Sequence, residues 1–131
     1  MSRYVIGPDV AVRLARERTV PADGHQILAP SLIRSQVLSL LYQAVRQGEL
    51  TRRDAGDCLD HIRGLRLRLL GDRVLQRTAW RVADELAWDD TYVAEYVALT
   101  QLHADAFITL DRQLARSVRD LVPVADVGAL T

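Results

Sequence analysis

The sequence predicts an α/β fold: a mainly parallel sheet of about four or five short strands, covered by helices on both faces in three α/β/α layers. Short apolar runs alternate along the chain with longer segments in which apolar residues recur every three or four positions. Strands and helices that alternate in this way form parallel sheets. No internal repeat interrupts the order, and 131 residues that are 49% apolar suffice for a single domain with a buried core.

The first strand is predicted at residues 4–6, where a short apolar run stops at a Gly-Pro pair. Asp9 then stands where the N-cap of a helix is expected. Residues 16–26 contain proline, aspartate and glycine and are predicted to form a loop. Residues 29–31 are predicted to open the next helix, with Ser31 as its cap.

The middle of the chain predicts three helices and one strand. The helix that opens after Ser31 continues until Gly48. Residues 51–54 resemble a capping box and begin another helix, which Gly64 ends. Residues 65–70 alternate between leucine and arginine, as a half-buried strand does, and Asp72 begins the helix that follows.

The last third of the chain predicts two further helices and two strands. Asp89 or Asp90 is expected to cap the first of these helices. Residues 106–109 form a compact apolar strand, residues 112–119 are helical, and residues 121–124 are a final strand. Trp80 and Trp88 are expected to anchor their helices in the core.

Composition excludes several classes of protein. All seventeen basic residues are arginine, and they balance seventeen acidic residues, which argues against binding nucleic acid through bulk positive charge. Cys58 is the only cysteine, so neither a disulfide framework nor a thiolate metal cluster is expected. No apolar run approaches the roughly 18 residues of a membrane span, and we expect a cytoplasmic protein that does not contact membranes.

Two acidic residues follow predicted strands. Asp9 comes after the first strand and Asp111 after the strand at 106–109. Ligands of parallel sheets gather outside the carboxyl ends of the strands, so the two carboxylates are expected to share one site. Mg²⁺ prefers oxygen ligands and is usually held by one or two carboxylates together with water and phosphate oxygens.

Four segments around these acids resemble, in order, the four motifs of PIN domains. They are residues 5–9, 30–38, 92–100 and 107–115. Within this family, the length of the chain and the residues of its motifs are most similar to those of the VapC-type toxins of prokaryotic toxin–antitoxin pairs. The resemblance implies that residues 1–131 form one PIN-like domain and that the protein is a ribonuclease, a hydrolase that depends on Mg²⁺ or Mn²⁺. It also implies an RNA substrate, a homodimer, and a small antitoxin protein that inhibits the toxin.

The resemblance assigns residues to the site and shows two departures. Asp9 and Asp111 match the acids that act in catalysis and bind metal, and Thr109 matches a supporting hydroxyl. Gln36 stands where the family has glutamate; its amide can orient a water molecule but carries no charge. Val93 stands where the family has aspartate and cannot bind a metal.

Neighbouring acids were considered as substitutes at position 93. On a helix Asp90 and Asp89 share the face of Val93, so Asp90 is the best substitute and Asp89 the second, whereas Glu95 points elsewhere. Metal ligands are therefore predicted to be Asp9, Asp111 and Asp90, with catalysis by Asp9, Gln36 and Asp111. Because two expected carboxylates are absent, weak or absent nuclease activity is predicted.

Two other hypotheses remain open at this point. One is a catalytically degenerate PIN domain that acts as an RNA- or protein-binding regulatory module. The other is a receiver-like domain, which also places acids at strand ends but uses a lysine near a late strand. The chain contains no lysine, which counts against the receiver.

Overall fold

The computed structural model describes residues 2–131 and contains a single sheet in that part of the chain. Five strands form it: β1 Ser2–Ile6, β2 His25–Pro30, β3 Arg68–Leu70, β4 Ala106–Ile108 and β5 Val124–Ala125. Six α-helices surround it: α1 Pro8–Arg16, α2 Ile33–Arg46, α3 Arg52–Gly64, α4 Arg73–Leu86, α5 Tyr92–His103 and α6 Arg112–Val118. A short 3-10 helix, Val127–Leu130, follows β5. The predicted α/β class and the number of strands are confirmed.

All strands are parallel, in the order β3-β2-β1-β4-β5. Strand β1 is central, and the chain winds first to one side of it and then to the other. Tyr4 is paired with Ile27 of β2 on one side and with Ala106 of β4 on the other. The crevice between the loops after β1 and β4 is thus a topological switch point, the position at which open α/β sheets bind ligands.

Strand β2 corrects the sequence prediction, which gave a loop over residues 16–26 and a helix that opens at residues 29–31. Ile27, Leu28 and Ala29 are at most 5% exposed, because this strand lies between β1 and β3 under helices on both faces. Such a strand is a short continuous apolar run without the alternation that marks a half-buried one. Helix α2 starts only at Ile33, and Ser31 does not cap it: the N-cap is Leu32, which makes no side-chain capping bond.

Helix α5 is the central helix of the core. It packs against α4 and against strands β1, β2 and β4. From Ala94 to Thr100 nearly every residue is buried, and Tyr96 is 2% exposed. A helix that is buried around most of its circumference is held by its neighbours on nearly every side. The positions of Val93, Glu95 and Tyr96 relative to the sheet are therefore determined by packing.

Two predicted helix caps are confirmed. Thr51 and Asp54 form the reciprocal bonds of a capping box at the start of α3. The Asp72 carboxylate accepts from the backbone N–H of Leu75 at 2.9 Å and begins α4. Within residues 2–131, no helix has the length and apolar character needed to cross a bilayer.

Candidate active site

The Asp9 carboxylate lies at the switch point and bonds across it to the loop after β4. Its Oδ2 accepts from the backbone N–H of Leu110 at 2.9 Å and from the hydroxyl of Thr109 at 3.2 Å. Its Oδ1 accepts from the backbone N–H of Val10 at 2.8 Å. The prediction that Asp9 is the N-cap of α1 is wrong: Gly7 is the N-cap and Pro8 occupies the first helical position. Asp9 sits in the first turn, where the helix dipole favours a negative charge.

Gly7 leaves the space that this carboxylate occupies. A Cβ atom at residue 7 would lie 2.5 Å from Oδ1 of Asp9, closer than such atoms approach. The backbone N–H of Gly7 donates to the carbonyl of Ile108 at 3.0 Å, which joins the ends of β1 and β4. Glycine thus allows the close approach of Asp9, and a side chain at residue 7 would require the carboxylate to move.

The Thr109 hydroxyl connects the two predicted acids. It donates to Oδ2 of Asp9 and accepts from the backbone N–H of Asp111, each at 3.2 Å. The loop after β4 is thereby held against the first turn of α1. Thr109 orients the Asp9 carboxylate through its hydroxyl proton and the backbone of Asp111 through its oxygen.

Asp111 is exposed and caps helix α6. Its Oδ1 accepts from the backbone N–H of Leu114 at 3.0 Å. Within residues 2–131 its second oxygen, Oδ2, accepts no hydrogen bond. One carboxylate oxygen of Asp111 therefore has a structural role, and the other remains available to a ligand.

Gln36 is oriented by a buried phenol. The hydroxyl of Tyr96 donates to Oε1 of Gln36 at 2.6 Å. Burial raises the pKa of Tyr96 above its ordinary range, and the negative charges of Glu95 and Asp9 raise it further. The phenol consequently remains a neutral hydrogen-bond donor.

Neither Tyr96 nor Glu95 is among the predicted site residues. Tyr96 is a tyrosine in an otherwise apolar stretch of α5, and a buried tyrosine usually has a partner for its hydroxyl, a signal that could have identified it. Glu95 is half-buried, and burial raises the pKa of its carboxyl group.

Asp89 and Asp90 do not lie on the helix that carries Val93. Helix α5 begins at Tyr92, so Asp89 and Asp90 precede it, and the helical-face argument for them is wrong. Both are exposed, and Oδ1 of Asp90 accepts from the backbone N–H of Tyr92 at 3.2 Å. Among residues 2–131, no three histidine, cysteine, aspartate or glutamate side chains are close enough together to hold a metal ion. The structure therefore does not bring Asp90 together with Asp9 and Asp111.

The remaining oxygen donors are the carboxylates of Asp9 and Asp111 and the amide of Gln36. Hard oxygen ligands suit Mg²⁺ and Mn²⁺, and two carboxylates lie within the range that magnesium sites use. Three of the four carboxylate oxygens of Asp9 and Asp111 already accept hydrogen bonds from the protein. This donor set is chemically compatible with a divalent cation.

Comparisons with known proteins were made by sequence and by structure. No protein-family model matches the chain, and no curated protein matches it. The crystal structure of PAE2754 from Pyrobaculum aerophilum superimposes with a TM-score of 0.67 at 20% sequence identity, and the match covers 98% of this chain and 93% of that one. The crystal structure of VapBC2 from Rickettsia felis bound to a DNA fragment from their promoter superimposes with a TM-score of 0.69 at 9% identity, covering 95% and 98%.

These matches extend over nearly the whole length of both partners, and they agree with the parallel sheet and its flanking helices. The fold predicted from the four sequence motifs is confirmed: this chain has the PIN-like fold of VapC-type proteins.

Proposed function

We propose that this protein is a metal-dependent endoribonuclease of the toxin–antitoxin kind, with an active site weakened at residues 36 and 93. One observation carries the proposal. At the switch point of a PIN-like fold, Asp9 and the backbone of Asp111 are joined through the hydroxyl of Thr109. Carboxylates arranged at the ends of adjacent parallel strands suit a metal-dependent phosphodiesterase.

In this proposal Asp9 and Asp111 hold Mg²⁺ or Mn²⁺. The cation, when bound, supplies charge neutralisation at the scissile phosphate and lowers the pKa of a water nucleophile. Thr109 keeps Oδ2 of Asp9 directed into the crevice. Tyr96 fixes the Oε1 side of Gln36, which leaves the amide N–H groups to orient a water molecule or a phosphate oxygen. In this proposal Arg112, which is exposed and next to Asp111 in the chain, contacts the RNA backbone.

We assign the antitoxin to an apolar groove between α2 and α3. The groove has a volume of 590 Å³, and arginines stand among its apolar residues: Ile33, Arg34, Val37, Leu38, Leu59, Ile62, Arg63, Arg66, Leu67 and Leu69. Leu38 is 56% exposed there although it is large and apolar. An antitoxin segment with apolar anchors and acidic flanks is complementary to this surface. Such a toxin acts in the cytoplasm and as a homodimer.

A second candidate function follows from the same site. With Val93 and Gln36 in place of acids, and with one oxygen of Asp111 engaged as a helix cap, the fold is also suited to a degenerate module that binds RNA or protein without cleaving it. This function requires the groove and the PIN-like fold but no metal.

A cleavage assay with Mn²⁺ distinguishes the two functions. We expect slow cleavage of a single-stranded RNA by the natural chain and none by Asp9→Ala. Val93→Asp is expected to increase the rate at least tenfold, because a third carboxylate raises metal affinity. Equal, robust rates for the natural chain and Val93→Asp would show that residue 93 is dispensable. No cleavage by either protein, with binding of RNA retained, would support the degenerate module.

A further inference from the structure

The outer face of α4 carries an exposed tryptophan between groups of opposite charge. The side chain of Trp80 is 69% exposed, so the prediction that it anchors the helix in the core is wrong. It lies in a surface depression of 420 Å³ together with Gln76, Arg77, Arg81 and Asp84. An indole left in water on a rigid helix is typical of the centre of a protein interface.

Apart from the N-cap Asp72, the charges on this helix run against its own dipole. Arg73 and Arg77 lie in its N-terminal half, Arg81 directly follows Trp80, and Asp84 and Glu85 lie in its last turn. The first turn contains no acid and the last turn no base, although the dipole favours the opposite arrangement. The stability of the isolated helix therefore does not account for this order of charges.

These charges also lack partners within the described chain. Across residues 2–131 the ion pairs are Arg13 with Glu17 and Arg63 with Asp60. Arg81 and Glu85 are four residues apart on one helix and yet form no pair. An arginine before Trp80 and an acid after it, Arg77 and Asp84, are complementary to the same two residues of a second helix that runs in the opposite direction.

We propose that α4 packs antiparallel against α4 of a second copy of this chain, with Trp80 near the two-fold axis. Arg77 precedes Trp80 by three residues and Asp84 follows it by four, so each lies about 5 Å from Trp80 along the helix axis. Reversal of the partner's direction places Arg77 opposite Asp84 of the partner subunit. Two-fold symmetry produces this pair twice.

A second copy fits this face better than single-stranded RNA does. Arginines and an aromatic ring suit a nucleic acid, but Asp84 lies on the same face as Trp80 and repels phosphates. In the antiparallel pair Asp84 becomes the partner of an arginine. The inference assigns a surface to the dimer of the proposed function and rests on that dimer, but not on nuclease activity.

Two charge-reversal variants test the arrangement. Sedimentation equilibrium of the natural chain is expected to give twice the chain mass of 14.7 kDa. Arg77→Asp places two acids opposite each other, and Asp84→Arg places two arginines opposite each other, so each variant should dissociate at least tenfold more readily. An equimolar mixture of the two variants restores both pairs and is expected to form a heterodimer. Arg53→Asp, an exposed reversal on α3, is the matched control and should leave the dimer intact.

Three results would overturn the inference. A monomeric natural chain would remove the dimer itself, whatever the outcome of the cleavage assay. A dimer that withstands both reversals would leave the dimer standing and move it away from α4. A Trp80→Ala variant that keeps its mass but loses affinity for a single-stranded RNA oligonucleotide would assign this face to nucleic acid.

Discussion

The phenol of Tyr96 and the amide of Gln36, sixty residues apart in the chain, are joined by a 2.6 Å hydrogen bond. Tyr96 is 2% exposed, so its hydroxyl has little access to water. The bond thus links the first turn of α2, which carries Gln36, to the central helix α5. It holds the Oε1 atom of Gln36 toward Tyr96.

We expect Tyr96→Phe to destabilise the fold by about 1 kcal/mol, because Oε1 of Gln36 loses its donor. Urea unfolding measures the change. Tyr92→Phe is the matched control, since Tyr92 is 58% exposed, and it should change stability by less than about 0.5 kcal/mol. In the Val93→Asp background, Tyr96→Phe should lower the cleavage rate while Gln36→Glu raises it. Equal stability of the two phenylalanine variants would contradict the assigned role of the bond.

Thr109→Val removes the hydroxyl that joins Asp9 to the backbone of Asp111 while keeping the branched shape. A loss of about 1–2 kcal/mol is expected, because a carboxylate loses a donor and a backbone N–H loses an acceptor. Thr109→Ser keeps the hydroxyl and should therefore retain most of the stability that Thr109→Val loses. Thermal unfolding with and without Mn²⁺ measures the effect, and a smaller stabilisation by Mn²⁺ is expected in the valine variant. If the valine and serine variants behave alike, the hydroxyl does not support the site.

Gly7→Ala is expected to displace the Asp9 carboxylate, since the added Cβ would lie 2.5 Å from Oδ1. The backbone φ of −73° at Gly7 suits any residue, so the contact alone should cost about 1–3 kcal/mol. The same substitution in an Asp9→Ala background should cost much less, because the clashing carboxylate is gone. Gly56→Ala, where the Cβ meets nothing within 4 Å, is the control. A similar cost in both backgrounds would show that Gly7 contacts something other than Asp9.

Glu95→Gln is expected to stabilise the protein at neutral pH. Burial raises the pKa of Glu95 above its ordinary value near 4.5, so the folded state favours the protonated carboxyl. The stability that the protonated carboxyl group of Glu95 contributes is fully present below about pH 4.5, and it is lost as the pH rises through the raised pKa. The advantage of glutamine should therefore be present at pH 7 and vanish near pH 4. Thermal unfolding at both pH values measures the stability gained by the glutamine variant, and Glu49→Gln, at an exposed position, is the control. A gain in stability that is independent of pH would exclude ionisation of Glu95 as its cause.

Much of the fold could be predicted from the sequence because its signals are local. The alternation of apolar runs and helical periods predicts the α/β class, and the capping residues Thr51 and Asp72 mark helix starts that the structure confirms. Asp9 and Asp111 stand out because acids directly follow two apolar strands. Each of these features depends on residues within a few positions of one another.

Only the tertiary structure decided the arrangement of the site. Strand β2 has no periodic signal because it is buried on both faces, and its identity depends on pairing with β1 and β3. The bond from Thr109 to Asp9 spans 100 residues, and that from Tyr96 to Gln36 spans 60. The start of α5 at Tyr92 separated Asp90 from the face on which it was predicted. Local patterns determine which side chains stand at strand ends, whereas packing of distant segments determines which of their atoms meet.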